Sequence, residues 1–317
     1  MSEETLVSFQ NLDSNKTAFQ ARIKRCDFTW KSGSERLKGD FFYLPFRDGN
    51  ITTDYFLKFL ITEIIKYALP YKDRAKALQH MSPSNLSHII ELKEQAKSFF
   101  LCSDTASEFG ELILYIILRD FFDAPQVANK MVLKTSGNMP IHGSDGLHVK
   151  FDNDIMTLYH GESKMYADTS PNAAITSAIS SSKDFLLNTK TKNGSNARDF
   201  EIQLIDRHFS LPGCSEEQKA AIMAYFNPLK PQSNNSKDVA VCLVGFDMNF
   251  YKQAKGAHDI ETLFLTEYKD KITAAAEHFK NTVRNEKLEN YNFHFLLLPF
   301  DSLSDFRDKF LKALDEY

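Results

Sequence analysis

The triplet Glu162-Ser163-Lys164 sets a carboxylate and an ammonium two positions apart. A carboxylate can hold a hard divalent cation, and a neighbouring ammonium can offset charge gathering on a phosphoryl oxygen. The pair therefore suits hydrolysis of a phosphate ester, provided both groups face the same way. Residues two apart diverge on a helix and share one face of a strand. Glu91/Lys93, Glu217/Lys219 and Glu267/Lys269 repeat the triplet in helix-like or loop-like sequence. Residues 155–166, Ile-Met-Thr-Leu-Tyr-His-Gly-Glu-Ser-Lys-Met-Tyr, read instead as a strand, which leaves Glu162 and Lys164 as the pair fit for joint action.

A second strand-like stretch, Ser144 to Phe151, precedes it, and Asn153-Asp154 fits a two-residue hairpin turn. That turn sets Asp152 opposite Ile155 and Asp145 opposite Glu162. One face then holds Leu147/His160, Val149/Leu158 and Phe151/Met156 and ends in the two carboxylates. The other holds Ser144/Ser163, Gly146/Gly161, His148/Tyr159 and Lys150/Thr157.

A third acid comes from a helix expected from about Thr105 through Phe122. Thr105-Ala-Ser-Glu108 is a capping-box pattern that gives Glu108 a structural task, whereas Glu111 shares a helical face with Leu114, Tyr115, Leu118 and Phe122. That face is expected to pack on the apolar side of the hairpin and carry Glu111 toward the other acids. Whether Glu111 or Glu108 completes the set stays open. Asp145, Glu162 and Glu111 are the candidate ligands of Mg²⁺, or Mn²⁺; with Lys164 they are the candidate catalytic residues.

Helical Glu, strand Asp and strand Glu-x-Lys, in that order, resemble the active site of the PD-(D/E)xK nucleases, the restriction-endonuclease-like superfamily. Ser144 stands where the motif's name has proline. The segments Glu108-Phe-Gly-Glu111, Gly143-Ser-Asp-Gly-Leu147 and His160-Gly-Glu-Ser-Lys164, with the chain's length, resemble the HamA family, best over residues 100–250. HamA proteins are nuclease subunits of Hachiman anti-phage systems and include AbpA-type antiviral proteins. The resemblance implies a metal-dependent DNA nuclease that works with HamB, a superfamily 2 helicase. It places Asp145 and Glu162 on the metal, Lys164 at the attacking water and phosphoryl oxygens, and Glu111 in the metal shell or at a second metal.

Other elements must position this hairpin. Phe41 to Leu44, ahead of Pro45, reads as a short strand, and Ile51 to Leu69 as an amphipathic helix. Lys130 to Lys134 is strand-like, and Pro171 to Leu187 reads as a helix rich in small residues. Val239 to Phe246 and Phe293 to Leu298 read as buried strands separated by a helix near Ile260 to Val283. Asp301 is placed to cap a last helix carrying the stripe Phe306, Phe310, Leu314. The expected fold is α/β: a restriction-endonuclease-like core over residues 96–317, with a mixed central sheet flanked by helices. An α/β lobe over residues 1–95 is expected to contact the core or a partner.

Composition narrows the field further. The 317 residues carry 38 Lys and Arg against 42 Asp and Glu, a net charge of −4, so weak intrinsic DNA affinity and recruitment by a partner are expected. The basic stretch over residues 16–38 and the Lys190 to Arg198 loop read as solvated surface rather than phosphate clamps. The apolar run Leu112 to Leu118 is bounded by Glu111 and Arg119, far short of the roughly 20 residues that cross a bilayer. Met1-Ser-Glu-Glu-Thr lacks the features of a secretory signal, so a cytoplasmic protein is expected. Cys26, Cys102, Cys214 and Cys242 contain no C-x-x-C pair, and His142, His148 and His160 fit no metal motif; His160 reads as a face residue or substrate contact. No phosphate-loop motif is present, so neither ATP hydrolysis nor a small-molecule cofactor is expected. Two other functions are compatible with the pattern: a catalytically silent adaptor that binds the helicase or DNA ends, and an RNA-cleaving toxin.

Overall fold

The computed structural model describes residues 13–80, 86–101, 108–128, 131, 143–152, 154–190, 194–250 and 259–316. In chain order the elements are α1 (Lys16–Arg22), β1 (Lys24–Arg25), β2 (Leu37–Tyr43), β3 (Phe46–Arg47), β4 (Asn50–Ile51), α2 (Thr53–Ala68), α3 (Tyr71–Gln79), α4 (Ser87–Leu101) and α5 (Glu108–Asp120). There follow β5 (Gln126–Ala128), β6 (Gly146–Asp152), β7 (Ile155–Met165), α6 (Asn172–Leu186), α7 (Ala197–Arg207), α8 (Glu216–Ala224), β8 (Ser236–Asp247), α9 (Ile260–Asn285), β9 (Phe293–Phe300) and α10 (Leu303–Glu316).

Among the described residues, seven strands form one mixed sheet in the order β1-β2-β9-β8-β7-β6-β5. Strands β2, β9, β8 and β7 run parallel, and β6 and β5 add on antiparallel. The parallel centre needs cover on both faces, which is why β8 is buried from Val239 to Phe246 and β9 is almost wholly apolar. On one face, Val241, Leu243, Leu296 and Leu298 pack against α2, α5 and α10 through Phe56, Leu114, Phe306 and Phe310. On the other, Ala240, Cys242, Val244 and Phe295 meet α6 and α9 through Ala178, Ile179, Phe264 and Phe279. No helix among the described residues is long and apolar enough to cross a membrane.

Several expected elements are found at nearly the expected bounds, and some details differ. Strand β2 lies beside β9, so residues 37–43 belong to the same sheet as the hairpin. A strand forms at Gln126–Ala128; of the expected Lys130 to Lys134 strand only Met131 is described, and it is buried and helical. At the start of the last helix, Ser302 Oγ accepts the Asp305 amide at 3.2 Å and Asp247 Oδ1, from the tip of β8, accepts the Leu303 amide at 2.7 Å. Helices α1, α3 and α7 have no counterpart among the expected elements, and α4 and α8 form where the sequence reads as helix-like or loop-like.

The helical face of the sheet that holds α2 and α5 contains a buried ionic network. Arg119 is 2 % exposed; it donates to Glu63 at 2.7 Å and to Asp120 at 2.5 Å, while Asp120 also accepts from Ser14 and the Asn15 amide. These bonds tie α1, α2 and α5 into one layer.

Candidate active site

The β6–β7 hairpin pairs in the register that its sequence dictates: Asp152 faces Ile155, Val149 faces Leu158, Leu147 faces His160 and Gly146 faces Gly161. Asp154 takes a left-handed φ of 63°, as a two-residue primed turn demands; Asn153 lies outside the described residues. Asp145 stands just ahead of the ladder. Its amide donates to the Gly161 carbonyl at 2.8 Å, and its Oδ2 accepts the Ser163 amide at 2.7 Å. Glu162 and Lys164 share a face as strand periodicity requires, and Lys164 Nζ donates to Glu162 Oε1 at 2.5 Å.

These side chains line one cleft of ≈ 370 Å³. The hairpin contributes Asp145, His160, Glu162 and Lys164; α6 contributes Ser181, Asp184 and Phe185; α7 contributes Ala197, Phe200 and Glu201. His160 is buried with its ring stacked on Phe185 at 4.1 Å, so it forms part of the wall. His148 lies on the other face, and His142, Cys102 and Thr105 lie outside the described residues. Cys26, Cys214 and Cys242 are free thiols away from the cleft lining.

The cleft concentrates negative charge. Burial pushes the Asp145 carboxyl well above its ordinary range, and repulsion from Glu162 and then Glu111 pushes the same way, against the Ser163 amide and Lys164. Burial also raises Glu162, although Lys164 and a hydrogen bond from Ser181 pull it down. Burial works against the Lys164 charge, but Glu162 and Asp145 outweigh it and hold the ammonium above the usual lysine range.

Helix α5 lies on the face opposite to the one expected. Tyr115 packs its ring on His148 at 5.8 Å, a Cβ on Gly161 would come 2.8 Å from Leu114, and one on Gly110 would come 2.6 Å from Ser163 Oγ. Gly161 and Gly110 leave the room that lets this helix approach so closely. The Leu147, Val149, Met156 and Leu158 face is instead buried by Phe185, Ile205 and Ile222 from α6, α7 and α8. Glu111 therefore approaches the acidic end from behind the sheet. It is felt by both Asp145 and Glu162, and it accepts a hydrogen bond from Tyr67 on α2 at 2.8 Å. Glu108 opens α5 and is buried.

Among the residues of this site not singled out from the sequence are Tyr67, Ser181, Asp184 and Glu201. The signal for Glu201 was available, since it shares a helical face with Leu204 and Ile205, the same argument that singled out Glu111. The sequence marks Tyr67 only as part of the apolar stripe Phe56, Leu60, Ile64 and Tyr67, and Ser181 only as one small residue of its helix; both reach the site through long-range packing.

Among the described residues, no three His, Cys, Asp or Glu side chains are already gathered into a metal shell. The donor set still suits a hard cation: the Asp145 and Glu162 carboxylates share one cleft beside a single ammonium. A family model described as HamA matches residues 21–314. The chain belongs to the HamA family. Membership in HamA implies a role in Hachiman anti-phage defence and a place in a Hachiman complex. The match spans both the hairpin and the strands and helices of the first third of the chain, Tyr67 included. A comparison with curated proteins gave no match.

Proposed function

We propose that this HamA chain is a metal-dependent deoxyribonuclease of the PD-(D/E)xK type, the effector that a HamB-type superfamily 2 helicase directs onto DNA. The observation that carries the reading is the hairpin register, which sets Asp145, Glu162 and Lys164 at one cleft.

Asp145 and Glu162 would hold Mg²⁺ or Mn²⁺, with Glu111 adding its charge from the helix behind. When bound, such a cation acidifies a coordinated water and draws charge off the phosphate. Lys164, kept cationic by its acidic neighbours, donates to a phosphoryl oxygen and orients the attacking water. Ser181 steadies the Glu162 carboxylate. The wall formed by His160 and Phe185 screens the reacting groups from bulk water on the α6 side.

The net charge of −4 supports a division of labour in which the helicase supplies most of the DNA affinity. The basic side chains near the N-terminus are largely engaged within the fold: Lys16 with Asp123, Lys24 with Glu261 and Arg25 with Asp40. Arg198 of the basic loop is likewise bound to Asp238 at 2.9 Å. A nuclease free in a cell would attack its host, so the partner also restrains it. The test compares nicking of plasmid DNA by the chain alone and by its complex with the helicase, with RNA as a parallel substrate. The isolated chain cuts DNA more readily than the resting complex; equal rates would refute restraint, and faster loss of RNA would refute the assigned substrate.

A further inference from the structure

We infer that Glu201 is a positioning residue for Asp145, acting through the backbone of Ser144. Asp145 lies outside the hairpin ladder, which begins at Gly146, so strand pairing alone does not fix the segment that carries it. Two amides hold that segment. The Asp145 amide donates to Gly161 at 2.8 Å, and the Ser144 amide donates to Glu201 Oε1 at 2.7 Å, with the Ser144 hydroxyl at 3.3 Å from the same oxygen. Glu201 thus does for residue 144 what the strand does for residue 145.

The acceptor is well anchored. Glu201 is 2 % exposed, Leu204 and Ile205 on the same face of α7 are buried, and Ile205 packs in the core that covers the hairpin. A carboxylate is costly to bury, and a Gln at this point could accept the same amide. Its place is explained by the strength of the bond it offers: an ionised acceptor holds a backbone N–H about twice as firmly as a neutral one. A firm bond matters here because the next side chain along is a proposed cation ligand, and small errors in ligand placement weaken a metal site. This inference rests on the reading that Asp145 holds a cation.

The experiment uses the full chain as wild type, Glu201→Gln, Glu201→Ala and Asp145→Ala. Mn²⁺ binding is followed by electron paramagnetic resonance, and amide exchange is followed over the peptide containing Ser144. Loss of a group that orients a ligand typically costs about 10–100-fold in metal affinity. Glu201→Ala is expected to fall in that range and to exchange faster at Ser144, with Glu201→Gln intermediate or near wild type in both. Unchanged Mn²⁺ affinity and unchanged exchange in Glu201→Ala would overturn the inference. So would a Glu201→Gln as weak as Glu201→Ala in affinity but protected at Ser144, since the charge would then act on the cation directly. If wild type and Asp145→Ala bind Mn²⁺ alike, the metal reading itself fails; Ser144 exchange in Glu201→Ala then still decides whether Glu201 holds this segment.

Discussion

Tyr67 donates its hydroxyl to Glu111 at 2.8 Å, and by that bond a helix from the first third of the chain reaches the acidic end of the hairpin. The hydroxyl is buried, and burial together with Glu111 and Asp145 holds its pKa well above the ordinary tyrosine range. It therefore remains a donor through the neutral range. Tyr67→Phe removes that donor and keeps the ring that packs on Phe100 and Tyr115. The expected outcome is a stability loss of about 1 kcal/mol in urea unfolding, with a larger fractional loss of DNA cleavage. A variant that loses stability and keeps full activity would separate Glu111 from the chemistry.

Gly110 permits α5 to touch β7 beside Glu162. A Cβ there would come 2.6 Å from Ser163 Oγ and 2.7 Å from Met165 Cγ, so Gly110→Ala forces the Ser163 and Met165 side chains, or the strand that carries them, to shift beside Glu162. Alanine's better helix propensity, about 1 kcal/mol, offsets part of the strain. Activity is the more sensitive readout, since a displacement of about 1 Å can cost on the order of 100-fold. Cleavage by Gly110→Ala is expected to fall by about 10- to 100-fold while the far-UV circular dichroism stays unchanged.

Arg119 holds the layer beneath the site. Its partners Glu63 and Asp120 are as buried as it is, so Arg119→Met removes the cation they share and leaves Glu63 only Lys66, at 3.3 Å, as countercharge. Breaking one side of such a pair costs about 3–5 kcal/mol, which urea titration would measure directly. A loss below about 1 kcal/mol would mean that the network is less tightly coupled than its geometry indicates.

His148 gives the fold a pH dependence of known sign. Its ring is fully buried, Nδ1 donates to the Ala124 carbonyl at 2.7 Å, and burial pushes the pKa down to about 4. The unfolded chain, with an ordinary histidine near 6.5, binds a proton that the folded protein refuses. Stability is therefore full above about pH 6.5 and falls as the pH drops toward 4, by up to ~3 kcal/mol from this group. His148→Asn, which still offers a donor but cannot charge, flattens the slope between pH 6.5 and 4. An unchanged slope would assign the pH dependence to other groups.

The hairpin was legible in the sequence because its information is local. Strict alternation and a two-residue turn fix the register from Gly146/Gly161 to Asp152/Ile155, and strand periodicity alone puts Lys164 beside Glu162. The identity of the covering helices was not legible. Helix α5 is buried almost all round, from Phe109 to Asp120, so burial alone singles out no face, and one of the two glycines that admit it, Gly161, lies on another element. The pairing of β2 with β9 joins Leu37 to Phe293, a contact that no local pattern encodes. Glu201 was hidden for a simpler reason: it lies just past the Lys190 to Arg198 loop, in a stretch to which the sequence pattern assigned no element, although its apolar spacing is helical.

The most direct test of the site is single-turnover cleavage of end-labelled DNA by the isolated chain, with Mg²⁺ or with EDTA, beside Asp145→Asn, Glu162→Gln and Lys164→Met. Cleavage that requires the cation and falls at least about 100-fold in each variant, as the loss of a group acting only in the transition state would give, is the predicted result. Cleavage that persists in EDTA, or that any of the three variants supports at the wild-type rate, would contradict the assignment of Asp145, Glu162 and Lys164 as the reacting machinery.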